Sequence, residues 1–422
     1  VTGGHVAVVD LGYGDAGKGT IVDALCGTGP VRAVLRFNGG AQAAHNVVVP
    51  GGRHHTFAQF GSGTFHGVPT HLTRFVVVDP LALAAEAAAL GNPFHLLTVD
   101  GDALLATPWH RAANRVRERR RGGGRHGSCG MGIGQTMEYA LSHADAPRVA
   151  DSRSPRALRR RLAAVRDRLT ATHGPLDAPP LDDVLAAFTA FGATVSIVDG
   201  SHTDRLLREG PCVFEGAQGV LLDEWRGWHP YTTWSTTTFG NVAELCDSFE
   251  RLGVVRTYTT RHGAGPFVTE APLDLPERHN GVGEWQGAFR VGHFDAVAHR
   301  YAVEVAGGVD ALAITHLDAP ARCPELRVCT AYEAGGVRVD RIEPGPLRDL
   351  DHQARLTAML TAARPACLHR PRDWATGIGE LLDAPVRIES HGPNRTDKRY
   401  RYMPVEGAVR GTVTGAAPVL RA

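Results

Sequence analysis

A glycine-rich turn set between an apolar run and a helix-like stretch constrains this chain more than any other feature. Val6–Leu11 reads as a strand. Gly12-Tyr13-Gly14-Asp15-Ala16-Gly17-Lys18-Gly19-Thr20 follows, and Thr20–Cys26 continues as a helix. Strand, tight turn and helix N-terminus together aim backbone N–H groups at one point, which suits a phosphate. The spacing Gly12-x4-Gly17-Lys18 fits a phosphate loop. Lys18 is one of only two lysines among 45 Lys and Arg residues. A compact ammonium reaches phosphate oxygens beside a tight turn, where a planar guanidinium is too large. Gly19 occupies the position of the usual Ser or Thr metal ligand, so Asp15, inside the turn, becomes the candidate ligand.

Composition removes several function classes. The 422 residues carry a net charge of +1, which gives no electrostatic case for a nucleic-acid or membrane-surface partner. No apolar run approaches the roughly 18 residues needed to span a bilayer. The opening residues run straight into a strand, so no signal peptide is expected. Seven cysteines, at 26, 129, 212, 246, 323, 329 and 367, form no C-x-x-C pair. That pattern points to reduced thiols and a cytoplasmic location. The 21 histidines show no metal-binding spacing such as H-E-x-x-H.

β-branched runs alternate with helix-like stretches. Strands are expected at 6–11, 33–37, 74–78, 194–198, 212–215, 254–260, 311–317, 327–332 and 386–390. Helices are expected at 81–90, 154–170, 181–191, 241–252, 295–305 and 374–382. Alternation of this kind predicts an α/β fold, a large mainly parallel sheet flanked by helices. No linker or repeat divides the chain, so residues 1–422 are read as one domain. Segments 119–127 and 278–293 read as mobile loops.

Four further segments carry chemistry. They are Asn38-Gly39-Gly40-Ala41-Gln42-Ala43-Ala44-His45-Asn46, Phe214-Glu215-Gly216-Ala217-Gln218-Gly219, and Thr259-Thr260-Arg261-His262-Gly263-Ala264-Gly265-Pro266-Phe267. The fourth pairs Thr315-His316-Leu317-Asp318 with Ser390-His391-Gly392-Pro393-Asn394-Arg395. With the Gly14–Gly19 turn, and in this order, they resemble the adenylosuccinate synthetase family over essentially the whole chain. The resemblance implies GTP and Mg²⁺ as co-substrate and metal, a homodimer, and a two-stage reaction. A carbonyl oxygen of a nucleotide is phosphorylated, and an amine then displaces phosphate. It implies Asp15 as the base and a metal ligand, with the Ala44 carbonyl as another. It implies His45 as the acid beside the transferred phosphoryl group, and Gln218 as the holder of the phosphorylated oxygen. Gly14, Gly17, Lys18 and Gly19 would take the GTP phosphates. His316, Asp318, Ser390 and Gly392 would hold the guanine, with Asp318 accepting from its N1–H and N2–H.

The chain departs from the family pattern where substrates are read. The family's aspartate-binding loop is arginine-rich. Here the matching stretch is Glu284-Trp285-Gln286-Gly287-Ala288-Phe289-Arg290-Val291-Gly292-His293, and only Arg290 of that cluster remains. Gly and Phe cannot replace a guanidinium that forks a carboxylate. The acceptor's phosphate cradle also changes: Gln42 replaces an asparagine and Cys129 a threonine, while Ser128 and Thr233 can still serve. An arginine that crosses the family's dimer aligns with His143, with Arg148 as a nearby substitute. These departures favour a GTP-dependent ligase acting on small molecules, with an altered acceptor or an amine other than aspartate. Three alternatives stay open: ordinary synthesis from IMP and aspartate, a kinase that stops at the phosphorylated product, and a GTP-binding regulator.

Overall fold

Every residue of Val6–Asp10 is buried, as expected of a strand covered on both faces. The computed structural model describes residues 3–275, 277 and 280–401. Ten strands form the principal sheet. In chain order they are β1 (Val6–Asp10), β2 (Ala33–Arg36), β3 (Thr70–Leu72), β4 (Leu97–Asp100) and β5 (Ser196–Val198). Then come β6 (Cys212–Glu215), β7 (Glu250–Arg256), β8 (Ala311–Thr315), β9 (Val386–Ser390) and β10 (Lys398–Tyr400). The spatial order is β10-β9-β8-β7-β1-β6-β2-β3-β4-β5. All neighbours run parallel except the β9–β10 edge hairpin. The α/β expectation therefore holds.

The order places β1 between β6 and β7, far apart in sequence. Strand order reverses there, and in open parallel sheets ligands bind outside the carboxyl ends at such a point. The turn after β1, the loops after β2 and β6, and the segments after β7, β8 and β9 all leave from that edge. All the motifs picked out in the sequence, apart from the Ser128–Cys129 and 280–290 segments, follow one of these strand ends directly.

A core on one side of the sheet joins Leu35, Phe214, Trp228 and Tyr301 with Ala296–Val305 and Trp374–Leu382. A second core gathers Leu72, Val99 and Ile197 with the helices Pro108–Arg121, Pro155–His173 and Leu181–Thr194. A third, beneath the helix α1 (Lys18–Thr28), packs Ile21, Val22 and Leu25 on Val8, Val34 and Ala313.

Several local expectations are corrected. The helix expected at 241–252 shrinks to Gly240–Ala243, because residues from Glu250 onward pair with β1. The strand expected at 254–260 divides: β7 ends at Arg256, and Thr259–His262 pairs antiparallel with Phe289–Gly292. That pairing makes 289–292 a strand within the expected loop 278–293, of which 278 and 279 lie outside the described residues. The other expected loop, 119–127, begins in the Pro108–Arg121 helix, which Thr107 caps at its start. The strand expected at 74–78 reduces to Val77–Val78, while Thr70–Leu72 joins the principal sheet.

Phe214 is fully buried in β6, directly beneath the loop that carries Gln218. Phe214→Ala should cost about 3–5 kcal/mol by transfer and cavity terms. Urea unfolding followed by circular dichroism would measure it.

Candidate active site

The turn after β1 is built around one buried carboxylate. Asp10 Oδ1 accepts the Gly12 N–H at 2.8 Å, and Oδ2 accepts the Ala16 N–H at 2.8 Å. Lys18 Nζ lies 3.3 Å from Oδ2, and both side chains are almost fully buried. Lys18 also donates to the Gln218 carbonyl at 2.6 Å. An ammonium has three donors, so one remains for a ligand in the cleft that Lys18 lines. Neighbouring strands fix the turn further. Arg256, ending β7, donates to the Asp15 carbonyl at 2.6 Å, and Thr315, ending β8, donates to the Ala16 carbonyl at 2.6 Å. A Cβ on Gly219 would sit 2.3 Å from the Gly12 carbonyl oxygen, so the loop after β6 lies directly against the turn.

Gly17 has φ 97° and opens α1 with no side-chain cap. The first N–H groups of a helix lack intrahelical acceptors, which leaves them for an anion. A Cβ on Gly19 would meet the His45 Cβ at 2.9 Å, so glycine there lets the His45 segment approach. Asp15 is held at φ 61°, and its carboxylate makes no hydrogen bond among the described residues. Desolvation pushes that carboxyl above its usual range, against the pull of Arg256 and Lys18.

His45 lines the cleft, and its Nδ1 lies 2.6 Å from Glu215 Oε1. Glu215 ends β6, fully buried, and accepts from the Ser62 N–H at 2.9 Å and from the Ser62 hydroxyl. Burial pushes the Glu215 carboxyl up, but Arg36, His45 and Ser62 outweigh it and hold it down at about 2. Burial, reinforced by Arg36, brings His45 down to about 4 against the opposing pull of Glu215. Near neutral pH the pair is a carboxylate holding a neutral imidazole by Nδ1–H. Nε2 is left for substrate chemistry, as in other carboxylate-oriented histidines.

The cleft encloses about 1050 Å³. Asp15, Lys18, His45 and the Ala44 segment line it, as do Gln42, Gln218, Ser128, Cys129 and Thr233. At the far end it is lined by His316, Asp318, Ser390 and Gly392. Gln218, at φ 63°, donates from Nε2 to Thr233 Oγ1 at 2.7 Å, while its Oε1 is buried without a partner. Both amide atoms of Gln42 are likewise buried and unpartnered. Such orphaned polar atoms at a cleft wall are what a ligand must satisfy. Ser128 is tied to Asn114, and burial pushes the Cys129 thiol up. Asp318 pairs with Arg322 at 2.9 Å.

Arg290 does not line the cleft. Its guanidinium forks Glu270, at 3.0 and 2.6 Å, and donates to the Gly263 and Gly265 carbonyls. His143 stacks on Tyr139, and Arg148 donates to the Asp102 carbonyl; neither lines the cleft of its own chain. The described arginines that do line it are all engaged: Arg117 with Glu138, Arg121 with Glu118, Arg256 with Glu277, Arg322 with Asp318, and Arg261 with backbone carbonyls. Sequence reading missed Asp10, Glu215, Arg256 and Thr315 as parts of the site. Their shared signal is a polar residue at the carboxyl end of a buried strand.

A Mg²⁺ ion bound with nucleotide phosphates needs one or two protein oxygens rather than a cage. The unengaged Asp15 carboxylate beside an uncapped helix N-terminus fits that need. No group of three His, Cys, Asp or Glu side chains able to hold a metal by themselves occurs among the described residues. Nor is any described helix long and apolar enough to cross a membrane.

Comparison with known proteins agrees with this geometry. A family profile described as Adenylosuccinate synthetase matches residues 7–398. An adenylosuccinate synthetase of Synechococcus sp. (strain RCC307) is 35% identical, covering 97% of this chain and 99% of the relative. That of Frankia alni is 33% identical, covering 92% and 97%. Among solved structures, fully ligated adenylosuccinate synthetase from Plasmodium falciparum superposes with a TM-score of 0.81 at 21% identity, covering 95% of this chain and 100% of that one. Cyanophage S-2L succinoaminodeoxyadenylate synthetase, bound to dGMP and dATP, gives 0.61 at 19% identity, covering 95% and 96%.

The His45–Glu215 pair sets an acid sensitivity. His45 has a folded value below its ordinary one, so the unfolded chain binds the extra proton as pH falls from about 6.5 to 4. Glu215 contributes stability above its ordinary value of 4.5, lost as pH falls toward about 2. Both signs agree: stability should decline steadily below pH 6.5. His45→Gln should flatten the upper part of that decline in melting temperatures recorded from pH 7 to 4.

Proposed function

This chain belongs to the adenylosuccinate synthetase family of GTP-dependent C–N ligases, and from that premise we propose that it has kept the phosphoryl-transfer machinery while changing a substrate. The observation that carries the reading is the contrast within one cleft. Asp15, Lys18 and His45 stand free or partly free toward the ligand, whereas every described arginine of the wall is already engaged.

In this reading the turn N–H groups and the remaining Lys18 donor hold the GTP phosphates, where fixed charge contributes most to catalysis. Asp15 and the Ala44 carbonyl would hold Mg²⁺, which would supply neutralising charge to the phosphates. Asp15 takes the proton of the acceptor's ring N–H as the carbonyl oxygen receives the γ-phosphoryl group and GDP leaves. His45, oriented by Glu215 through Nδ1–H, presents Nε2 to the transferred group and donates to it when protonated, a form that the Glu215 carboxylate and the phosphoryl charge both favour. The amine nitrogen then bonds to the same carbon, inorganic phosphate departs with the oxygen, and the amine gives up a proton. Thr233 can donate as well as accept, so the Gln218 amide can present either end to the acceptor.

The amine's part of the wall contains His126, His262, Asn280 and Gln286. These are neutral or weakly basic groups, and Arg290 is turned away onto Glu270. A dicarboxylate would have to draw a described guanidinium away from a carboxylate or, at Arg261, from the backbone carbonyls that hold it. That supports an amine other than aspartate. Ordinary synthesis from IMP and aspartate is the second reading, favoured by relatives above 30% identity that carry that enzyme's name. The phage neighbour, bound to dGMP and dATP, is a protein of this fold with a different nucleotide pair. We further propose a cytoplasmic homodimer, a single domain, and closure of the 119–127 and 278–293 segments over bound substrate.

The purified protein, given GTP, Mg²⁺, IMP and aspartate, should form no adenylosuccinate detectable by mass spectrometry. Efficient formation would establish the second reading. Asp15→Asn should lower turnover about 10²–10⁴-fold, the usual loss on removing a general base. It should keep GTP binding, measured by calorimetry. A variant with unchanged turnover would remove Asp15 from the mechanism.

A further inference from the structure

The chain's second lysine, Lys398, lies outside the cleft wall but directly behind its far end. Lys398 faces Ser390 across the β9–β10 hairpin. It is 8% exposed. Its Nζ donates to the Gly392 carbonyl at 2.7 Å and to the Asn394 carbonyl at 2.9 Å. Thr20, in α1, donates to the intervening Pro393 carbonyl at 2.7 Å. Three successive carbonyls of the loop are therefore captured by donors. Two of them are held by one ammonium. The loop has little freedom elsewhere: the Asn394 N–H donates to Asp397 Oδ2, and a Cβ on Gly392 would lie 2.5 Å from that oxygen. The Gly392 N–H has no partner among the described residues.

Ser390 and Gly392 line the cleft beside His316 and Asp318. We propose that Lys398 is a positioning residue for nucleotide selectivity: its buried ammonium sets the 391–394 loop in the shape that distinguishes the purine base. With the carbonyls drawn toward Lys398 and Thr20, the loop keeps an N–H donor at Gly392 and withholds acceptors. Opposite, Asp318 supplies an acceptor. A base with a carbonyl acceptor and N–H donors fits that arrangement, and one with an exocyclic amine at the carbonyl's position does not. Lysine suits this position for a steric reason. One compact ammonium can bond two carbonyls of a tight loop where a guanidinium cannot fit. Burial lowers its proton affinity, to about 8, and the Asp397, Asp23 and Asp318 carboxylates oppose that shift. The inference rests on the GTP reading of this end of the cleft.

The test is calorimetric titration of the full chain with GTP and ATP. Wild type should prefer GTP. Lys398→Met should weaken GTP about tenfold, the scale of a lost charge-assisted bond, with ATP affinity nearly unchanged and the melting temperature lowered by the loss of the loop carbonyls' buried donor. Thr20→Val, which releases only the Pro393 carbonyl, should narrow the GTP-to-ATP ratio by a smaller factor and serves if Lys398→Met does not fold. A folded variant that keeps the wild-type ratio, or loses both nucleotides equally, would overturn the inference while leaving the GTP reading intact. A wild-type protein that binds no GTP would overturn the reading and the inference with it.

Discussion

The Asp10 carboxylate is the interaction on which the site depends. It ends the central strand, accepts two N–H groups of the turn that follows, and pairs with the lysine that opens α1. A lone carboxylate so deeply buried would be costly, and a lone ammonium no less so. Each is tolerable because the other is there, with backbone N–H groups completing the carboxylate's shell. The turn therefore keeps its shape before any anion arrives. Strands β6, β7 and β8 reinforce it through the Gln218 carbonyl, Arg256 and Thr315. The phosphate loop is thus a property of the whole sheet centre, not of nine residues in sequence.

The same logic explains how much was legible in the primary structure. Lys18 and Asp15 sit in a turn whose phosphate and metal chemistry can be named from spacing, the acid and base roles of His45 and Asp15 come from the family resemblance, and the sheet class follows from alternating buried runs. Glu215 was visible only as a letter in a motif, because its role comes from His45 and Ser62, far away in sequence. Asp10 read only as a residue within the expected strand 6–11. The 241–252 stretch reads as helix by local preference, yet backbone pairing with β1 draws its end into the sheet. Arg290 shows the opposite case. As the one surviving arginine of a loop it invited a ligand role, but Glu270 and two glycine carbonyls consume its donors.

Electrostatically the cleft is divided. Around the turn, donors and one unbonded carboxylate face inward, and the His45–Glu215 pair adds an oriented imidazole. Toward the 280–290 hairpin, the described guanidiniums are held by carboxylates or backbone carbonyls, leaving amides and imidazoles. In the proposed reading, catalytic power and substrate choice are thereby held by different residues. That separation lets a fold change what it acts on without rebuilding its engine.

The hairpin closed by Gly283 and Gly287 carries Trp285 at its tip. A Cβ on Gly130 would fall 2.8 Å from that indole, and Arg115 and Arg119 lie over its ring. Arg125 reaches the Glu284 carbonyl from the other side. The 283–287 hairpin is thus bolted to the Gly130 segment on the other side. A hairpin transplanted from a relative would arrive without its seat at Gly130 and its two arginines, so exchanging it calls for matching substitutions in both segments.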